Sequence, residues 1–160
     1  MFPHARPMGE MQPPPARSPE QRKSDTLEKL RGLVDLWVAS ASEDGAAYLV
    51  PLSYYWDGTA LTIATARSSR TARNLIRAGR ARAALGPTRD VVMVEGPVEV
   101  VPIGSDVALE DAHARATGFD PRTLAVEYVY LRLTPDRIQA WREENELARR
   151  DLMRHGRWLA

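Results

Sequence analysis

Residues 34–65 alternate apolar and polar positions with the two-residue period of half-buried strands, and turn signals interrupt the run. Residues 34–42 are β-prone, Glu43-Asp44-Gly45 is a hairpin turn signal, residues 46–56 return, Asp57-Gly58 turns again, and residues 59–65 make a third strand. This predicts an antiparallel meander. The period then lengthens: residues 69–78 fit a helix stopped by Gly79, and residues 80–85 alternate as a fourth strand. Residues 90–101 form a long fifth strand, in which Gly96-Pro97 marks a bulge or an edge. A helix over 105–117, ended by Gly118, precedes two final strands, 128–133 and 137–141, paired around Thr134-Pro135-Asp136. Residues 143–154 read as a closing helix.

At the other end, residues 1–18 carry Pro3, Pro7, Pro13, Pro14 and Pro15 and are expected to be a flexible Pro-rich tail. A single domain over 19–160 then starts with a helix that Ser18 caps, with Pro19 at its first position and an apolar stripe of Leu27, Leu30 and Leu33. Six or seven short antiparallel strands must hide their edges. The fold class that does so is mainly β with peripheral helices (α+β): a six- to seven-stranded antiparallel β-barrel, closed or split. So small a barrel fills its interior with side chains, so a ligand belongs outside it or at a subunit interface.

Composition narrows the chemistry. At 160 residues with 44% hydrophobic content the chain can bury a core of its own, and with no Cys it has no disulfide or thiol chemistry. No apolar run approaches the roughly 20 residues of a membrane helix, and no apolar signal core opens the chain, so a cytoplasmic protein is expected. The formal net charge is only +1, yet Arg67, Arg70, Arg73, Arg77, Arg80, Arg82 and Arg89 follow one another with no Asp or Glu among them. Arg outnumbers Lys 20 to 2, a bias of GC-rich coding that explains some arginines but not their clustering. A local positive field of this kind implies an anionic partner of limited size.

The field centres on a strand-to-helix corner. Ser68, Ser69 and Thr71 offer hydroxyls and free N–H groups where the helix begins, its positive end favours an anion, and Arg70 and Arg73 can add forked hydrogen bonds. The same residues also make an ordinary capped helix, and both readings stand at this point. Elsewhere the residues favour structure. His4, His113 and His155 have no metal-ligand spacing or triad partner and are expected to be solvated or packed. Glu143, Glu144 and Glu146 read as a solvated helix face with Arg149 and Arg150. Trp37 and Trp56 are expected to pack, while Tyr54 is a candidate for the substrate side.

The run 63–75, with the Ser-Arg corner and Arg73-Asn74-Leu75, together with 79–85, the Trp56-Asp57-Gly58 turn and the strand ending near Glu95-Gly96, resembles the pyridoxamine 5′-phosphate oxidase-like split-barrel superfamily. The resemblance implies an FMN-binding split-barrel type of fold and a homodimer with a flavin-type cofactor at each end of its interface. It implies that Ala64 and Thr65 meet the ring or ribityl region, that Ser68, Ser69, Arg70, Thr71, Arg73 and Asn74 form the phosphate corner, and that Pro51, Leu52 and Ser53 line the ring through backbone groups. Trp141 and Arg142 lie in the family's interface region. The family often has Lys where this chain has Thr71, which shifts the phosphate charge to Arg70 and Arg73. The basic C-terminal segment of the oxidase has no counterpart here, so oxidation of pyridoxamine phosphate is not expected. The Arg73-Asn74-Leu75 helix is similar to the branch that uses the deazaflavin F420, and FMN stays open.

Such a cofactor carries the hydride itself, consistent with the lack of a nucleophile and base set; the catalytic residues are unknown. Three functions remain: a reductase acting on a small unsaturated molecule with F420 or FMN, a protein that stores the cofactor without turnover, and a nucleic-acid module. The last is disfavoured, since the arginines lack interleaved aromatics and the net charge gives no phosphate-tracking surface. No membrane, nucleic-acid or metal partner is expected.

Overall fold

The computed structural model describes residues 12–160. The chain order is α1 (Pro19–Gly32), β1 (Asp35–Ala41), β2 (Ala47–Trp56), β3 (Leu61–Ala66), α2 (Arg70–Ala78), β4 (Arg80–Leu85), β5 (Val91–Pro102), α3 (Val107–Thr117), β6 (Tyr128–Leu133), β7 (Arg137–Trp141), β8 (Asp151–Arg154) and β9 (Arg157–Trp158). Short 3-10 turns occupy Pro121–Thr123 and Glu144–Arg149. No helix among the described residues is long and apolar enough to cross a membrane.

The strands run β4-β1-β2-β3-β6-β5, and β4 pairs with β5 as well, so six antiparallel strands close into a barrel with β7, β8 and β9 added beside β5. Closure removes the edges that six short strands would otherwise expose. The meander, the helix ended by Gly79, the fourth strand and the long fifth strand stand where the polar-apolar pattern puts them. Leu36, Val38, Leu61, Ile63, Val92, Val94, Leu131 and Ile138 fill the interior, and Leu30 of α1 and Leu75 of α2 join the same cluster. Burial of each such side chain contributes roughly 1.5–3 kcal/mol.

Three expectations need correction. The strands over 128–133 and 137–141 do not pair with each other. Both lie along β5, in registers running Val98↔Leu133 to Pro102↔Val129 and Val91↔Trp141 to Glu95↔Arg137. The Thr134-Pro135-Asp136 step is a kink between two collinear strands: Thr134 N–H donates to the Pro97 carbonyl (3.1 Å) and Asp136 N–H to that of Glu95 (2.9 Å). The kink presses on Gly96, where a Cβ would stand 2.0 Å from the Thr134 carbonyl oxygen.

The closing helix is instead a 3-10 turn followed by the β8–β9 hairpin, whose His155-Gly156 corner has positive φ at both residues. Its Glu146 is buried, because it pairs with Arg17, 129 positions away, and not with the local arginines. Finally, Trp37 is 50% exposed. Its neighbours Leu36 and Val38 take the inward positions of β1, which turns the indole outward.

The Pro-rich stretch lies outside the described residues as far as Met11. Gln12 to Ser18 is irregular, and its last part is tied down. Asn145 Nδ2 donates to the Pro14 carbonyl (2.8 Å), and Arg17 forks onto Glu146 and Asp25 at 2.8 Å each.

Candidate functional site

α2 begins where its sequence says it should. Ser69 is the N-cap, its Oγ accepting the Ala72 N–H at 3.0 Å, and Thr65 Oγ1 lies 3.0 Å from the same hydroxyl. Gly79 closes the helix in the left-handed conformation at φ 68°. Between them the first-turn N–H groups of Arg70 and Thr71 find no acceptor among the described residues. They point outward at the positive end of the helix.

The arginines of α2 are spent on backbone or left free. Arg73 Nη1 donates to the Ser68 carbonyl (2.7 Å) and Arg77 Nη2 to that of Ala41 (2.6 Å), while the Arg70 guanidinium sits 5.6 Å from the centre of the Tyr48 ring. None of the three has a carboxylate in ion-pair range among the described residues. Asn74 Nδ2 donates to Ser40 Oγ at 3.0 Å, which fixes α2 against the β1–β2 hairpin. The groove between them measures about 370 Å³ and is lined by Ser42, Asp44, Tyr48, Arg70, Arg73 and Asn74. At its rim the Ser42 hydroxyl, and then the Ala46 N–H, hold the Asp44 carboxyl below its ordinary range. The remaining balance is positive, so the corner suits an anion.

Beside the corner the barrel wall parts. β2 pairs with β1 from Ala47 to Ser53 but with β3 only at Tyr54↔Ile63, Tyr55↔Thr62 and Trp56↔Leu61. β3 nevertheless continues against β6 as far as Ala66↔Tyr128. Had β2 and β3 stayed together, Ser53 would face Ala64 and Leu52 would face Thr65. The backbone edges of Pro51, Leu52 and Ser53 on one side and Ala64 and Thr65 on the other are thus left without strand partners, next to Ser69. Two such edges leave backbone N–H and C=O groups free to bond water or a bound group.

The structure joins Thr65, Ser68, Ser69, Arg70, Arg73 and Asn74 at the corner, and places Pro51, Leu52, Ser53 and Ala64 along the parted strand edges. Thr71 stands in the same turn, but its side chain is buried and does not reach the groove. Ser53 Oγ is turned toward β1, donating to Asp35 Oδ1 at 2.6 Å, so only its backbone faces the opening.

Tyr54 is not part of this set. It is buried in the core, its hydroxyl donating to the carbonyls of Leu30 (3.1 Å) and Lys29 (3.2 Å), and burial raises its phenol above the ordinary range. Trp141 and Arg142 are also elsewhere. Trp141 lies under the Arg150 guanidinium, and Arg142 joins Asp90 (3.2 Å) and Asp25 (3.6 Å) against α1. Tyr48, Ser42 and Asp44 are additions that strand alternation alone does not reveal, since their role depends on the hairpin lying beside α2.

A larger cleft of about 700 Å³ lies between α3 and the outer face of β2, β5 and β6, lined by Tyr55, Asp57, Glu99, Leu109, Ala112 and Arg132 among others. Its cation is already engaged. Arg132 Nη2 donates to Asp57 Oδ2 at 2.6 Å, and Asp57, which also accepts from Thr59 and Ala60, is held ionised down to about 2. Unspent charge, rather than volume, singles out the α2 corner.

The family model described as pyridoxamine 5′-phosphate oxidase matches residues 28–142, from the end of α1 through β7. No curated protein matches the chain. Similar solved structures include an F420 reductase, with 16% identity and a TM-score of 0.58 over 69% of this chain and 93% of that one. An FMN-binding protein related to pyridoxamine 5′-phosphate oxidase, from Nostoc punctiforme, shows 15% identity and a TM-score of 0.50 over 75% and 81%. A heme binding protein from Mycobacterium smegmatis shows 16% identity and a TM-score of 0.65 over 80% of this chain and 55% of that one. At these identities the likeness is one of fold, on which different ligands are carried.

Proposed function

Because the chain belongs to the pyridoxamine 5′-phosphate oxidase family, we propose that it is an oxidoreductase holding a phosphorylated flavin-type cofactor, FMN or F420, between two copies of itself, to exchange a hydride with a small unsaturated molecule. The observation that carries this reading is the junction of an unneutralised cationic helix start with two parted strand edges. A phosphate fits the first and a planar, hydrogen-bonding ring fits the second.

Ser69, the N–H groups of Arg70 and Thr71, and the guanidiniums of Arg70 and Arg73 would hold the phosphate. With the Thr71 side chain buried, the charge falls to the two arginines. The backbone of Pro51, Leu52, Ser53, Ala64 and Thr65 would orient the ring. The bound cofactor supplies the hydride chemistry, and the chain supplies position and electrostatics.

The second copy would sit on the outer face of β1 and β2. Trp37 faces Pro51 across the strands, Leu49 faces Ala39, and Trp37 and Leu49 are 50% and 58% exposed. Pro51 belongs both to this apolar strip and to the parted edge, so a partner there would complete the site. A carrier that stores the cofactor without turnover is the second reading, favoured because the one carboxylate lining the corner groove, Asp44, is tied to Ser42 and Ala46.

Titration of the protein with FMN and with F420, followed by absorption and fluorescence quenching, tests the proposal. One of the two is expected to bind, and Arg70→Ala should weaken it by about 1.5–3 kcal/mol with an unchanged circular dichroism spectrum. Failure of both to bind, or wild-type affinity in Arg70→Ala, refutes the assignment. Reoxidation of the bound, reduced cofactor against quinones, enones and tetrapyrroles then separates enzyme from carrier: no acceleration over buffer means storage.

A further inference from the structure

α3 lies across the outside of the barrel. Its Leu109 packs on Ala64, Val101 and Tyr130, which stand in one row across β3, β5 and β6. On the same side of the helix, Glu110 and His113 are as deeply buried as the core, at 0% and 1% exposure. His113 meets the Tyr130 ring edge-on at 5.2 Å. Among the described residues neither imidazole nitrogen has a hydrogen-bond partner of ordinary geometry, and the Tyr130 hydroxyl and Glu110 Oε2 are unpartnered too. A buried imidazole with no carboxylate bonded to it and only the Phe119 carbonyl nearby is favoured in its neutral form.

The charged groups around it are already committed. Glu110 Oε1 accepts the Gly104 N–H at 2.6 Å, and its Oε2 lies 3.8 Å from Arg122 Nη1. Arg122 also holds Asp111 and Asp120, each at 2.8 Å. Among the described residues no carboxylate is thus bonded to the ring. Burial pushes His113 down to about 4, against the opposite pull of Asp120 and of the Phe119 carbonyl. Glycines in the left-handed conformation stand at both ends of the helix segment, Gly104 at φ 86° and Gly118 at φ 70°.

We propose that α3 is an acid-released flap, latched at neutral pH by the uncharged His113 ring packed against Tyr130 and let go when that ring takes up a proton. Its Ala108, Leu109 and Ala112 form one wall of the 700 Å³ cleft, so release opens that cleft and uncovers Tyr130. The sign follows from linkage. The released helix carries an ordinary histidine that binds a proton below 6.5, and the docked one does not until about 4. Docking is therefore complete above that upper value and weakens by up to about tenfold per pH unit between the two.

Hydrogen exchange of the full chain, corrected for intrinsic rates and measured from neutral pH down to about 4, reads this directly. Protection over 107–117 should fall by about tenfold per pH unit while that of β3 and β6 holds, and His113→Leu should flatten the slope. The proposal is overturned if α3 tracks β6 at every pH, or if His113→Leu keeps the wild-type slope. In case that variant fails to fold, proton NMR of the wild-type ring decides. The His113 ring must titrate below its ordinary 6.5, and a His113 midpoint near 6.5 overturns the flap.

Discussion

Arg17→Ala should cost this protein about 3 kcal/mol at neutral pH, although the residue lies just before α1 and far from the α2 corner. The arginine side chain is 8% exposed and that of its partner Glu146 1% exposed. Arg17 Nε and Nη2 fork onto the two carboxylate oxygens at 3.0 and 2.8 Å, and Nη1 reaches Asp25 at 2.8 Å. Truncation leaves a buried carboxylate with only the N–H groups of residues 17 and 142 to solvate it. Breaking one side of such a pair typically costs about 3–5 kcal/mol. A second route agrees. The Arg17 guanidinium, ahead of the N–H donors, lowers the Glu146 carboxyl from 4.5 to about 2. A drop of that size is worth about 3 kcal/mol of folding stability, the largest share from the guanidinium and the rest from the N–H groups that the variant keeps. The contribution is present above pH 4.5 and is lost as the pH falls through about 2, so the gap between wild type and variant should close on acidification. Urea unfolding followed by tryptophan fluorescence, at neutral pH and at intervals down to about 3, measures both quantities. Replacing both residues with apolar ones, Arg17→Met with Glu146→Leu, should restore most of the loss, since no buried charge then lacks a partner. A neutral-pH loss below about 1 kcal/mol, or one that does not shrink with acid, would refute the reasoning.

Two further substitutions probe the fold and the assembly. Gly96→Ala puts a methyl group 2.0 Å from the Thr134 carbonyl oxygen, so the β6–β7 kink must shift; a loss of about 3 kcal/mol or more is expected in the same unfolding assay, and near-native stability would mean that the kink yields freely. Trp37→Asp places a charge in the exposed strip on β1 and β2; sedimentation is expected to give a dimer for the wild type and a monomer for the variant, with cofactor affinity reduced in step, and the same sedimentation coefficient for both would refute an interface on this face.

The parts of this molecule legible in its sequence are those whose cause is local. Ser69 caps α2 and Gly79 ends it within a span of a few residues, and the Asp57-Gly58 turn is organised by Asp57's own bonds to Thr59 and Ala60. Apart from Trp37, whose exposure follows from the alternation of its own strand, the misread parts depend on a distant residue. Glu143, Glu144 and Glu146 have the spacing of an exposed helical face with Arg149 and Arg150, yet Glu146 is claimed by Arg17 and the backbone turns into a hairpin instead. Thr134-Pro135-Asp136 has the composition of a hairpin turn, and only the missing side chain at Gly96 on a neighbouring strand lets it serve as a kink.

Tyr54 shows the same limit at the candidate site. Three consecutive aromatics in β2 do not reveal which of them faces inward until the strand's partners are known. Here β2 changes partner between Ser53 and Tyr54, from β1 to β3. That change buries Tyr54 beneath α1 and, one residue earlier, frees the backbone edge at Pro51, Leu52 and Ser53. The core role of one residue and the proposed ring contact of its neighbours are thus two consequences of a single event in the sheet. A substitution that repaired the parting, by pairing Leu52 with Thr65, would be expected to stabilise the barrel while destroying the site. Separate local signals around this break are strong, but its position is set by how far β3 follows β6, and that information lies more than 60 residues away at Tyr128.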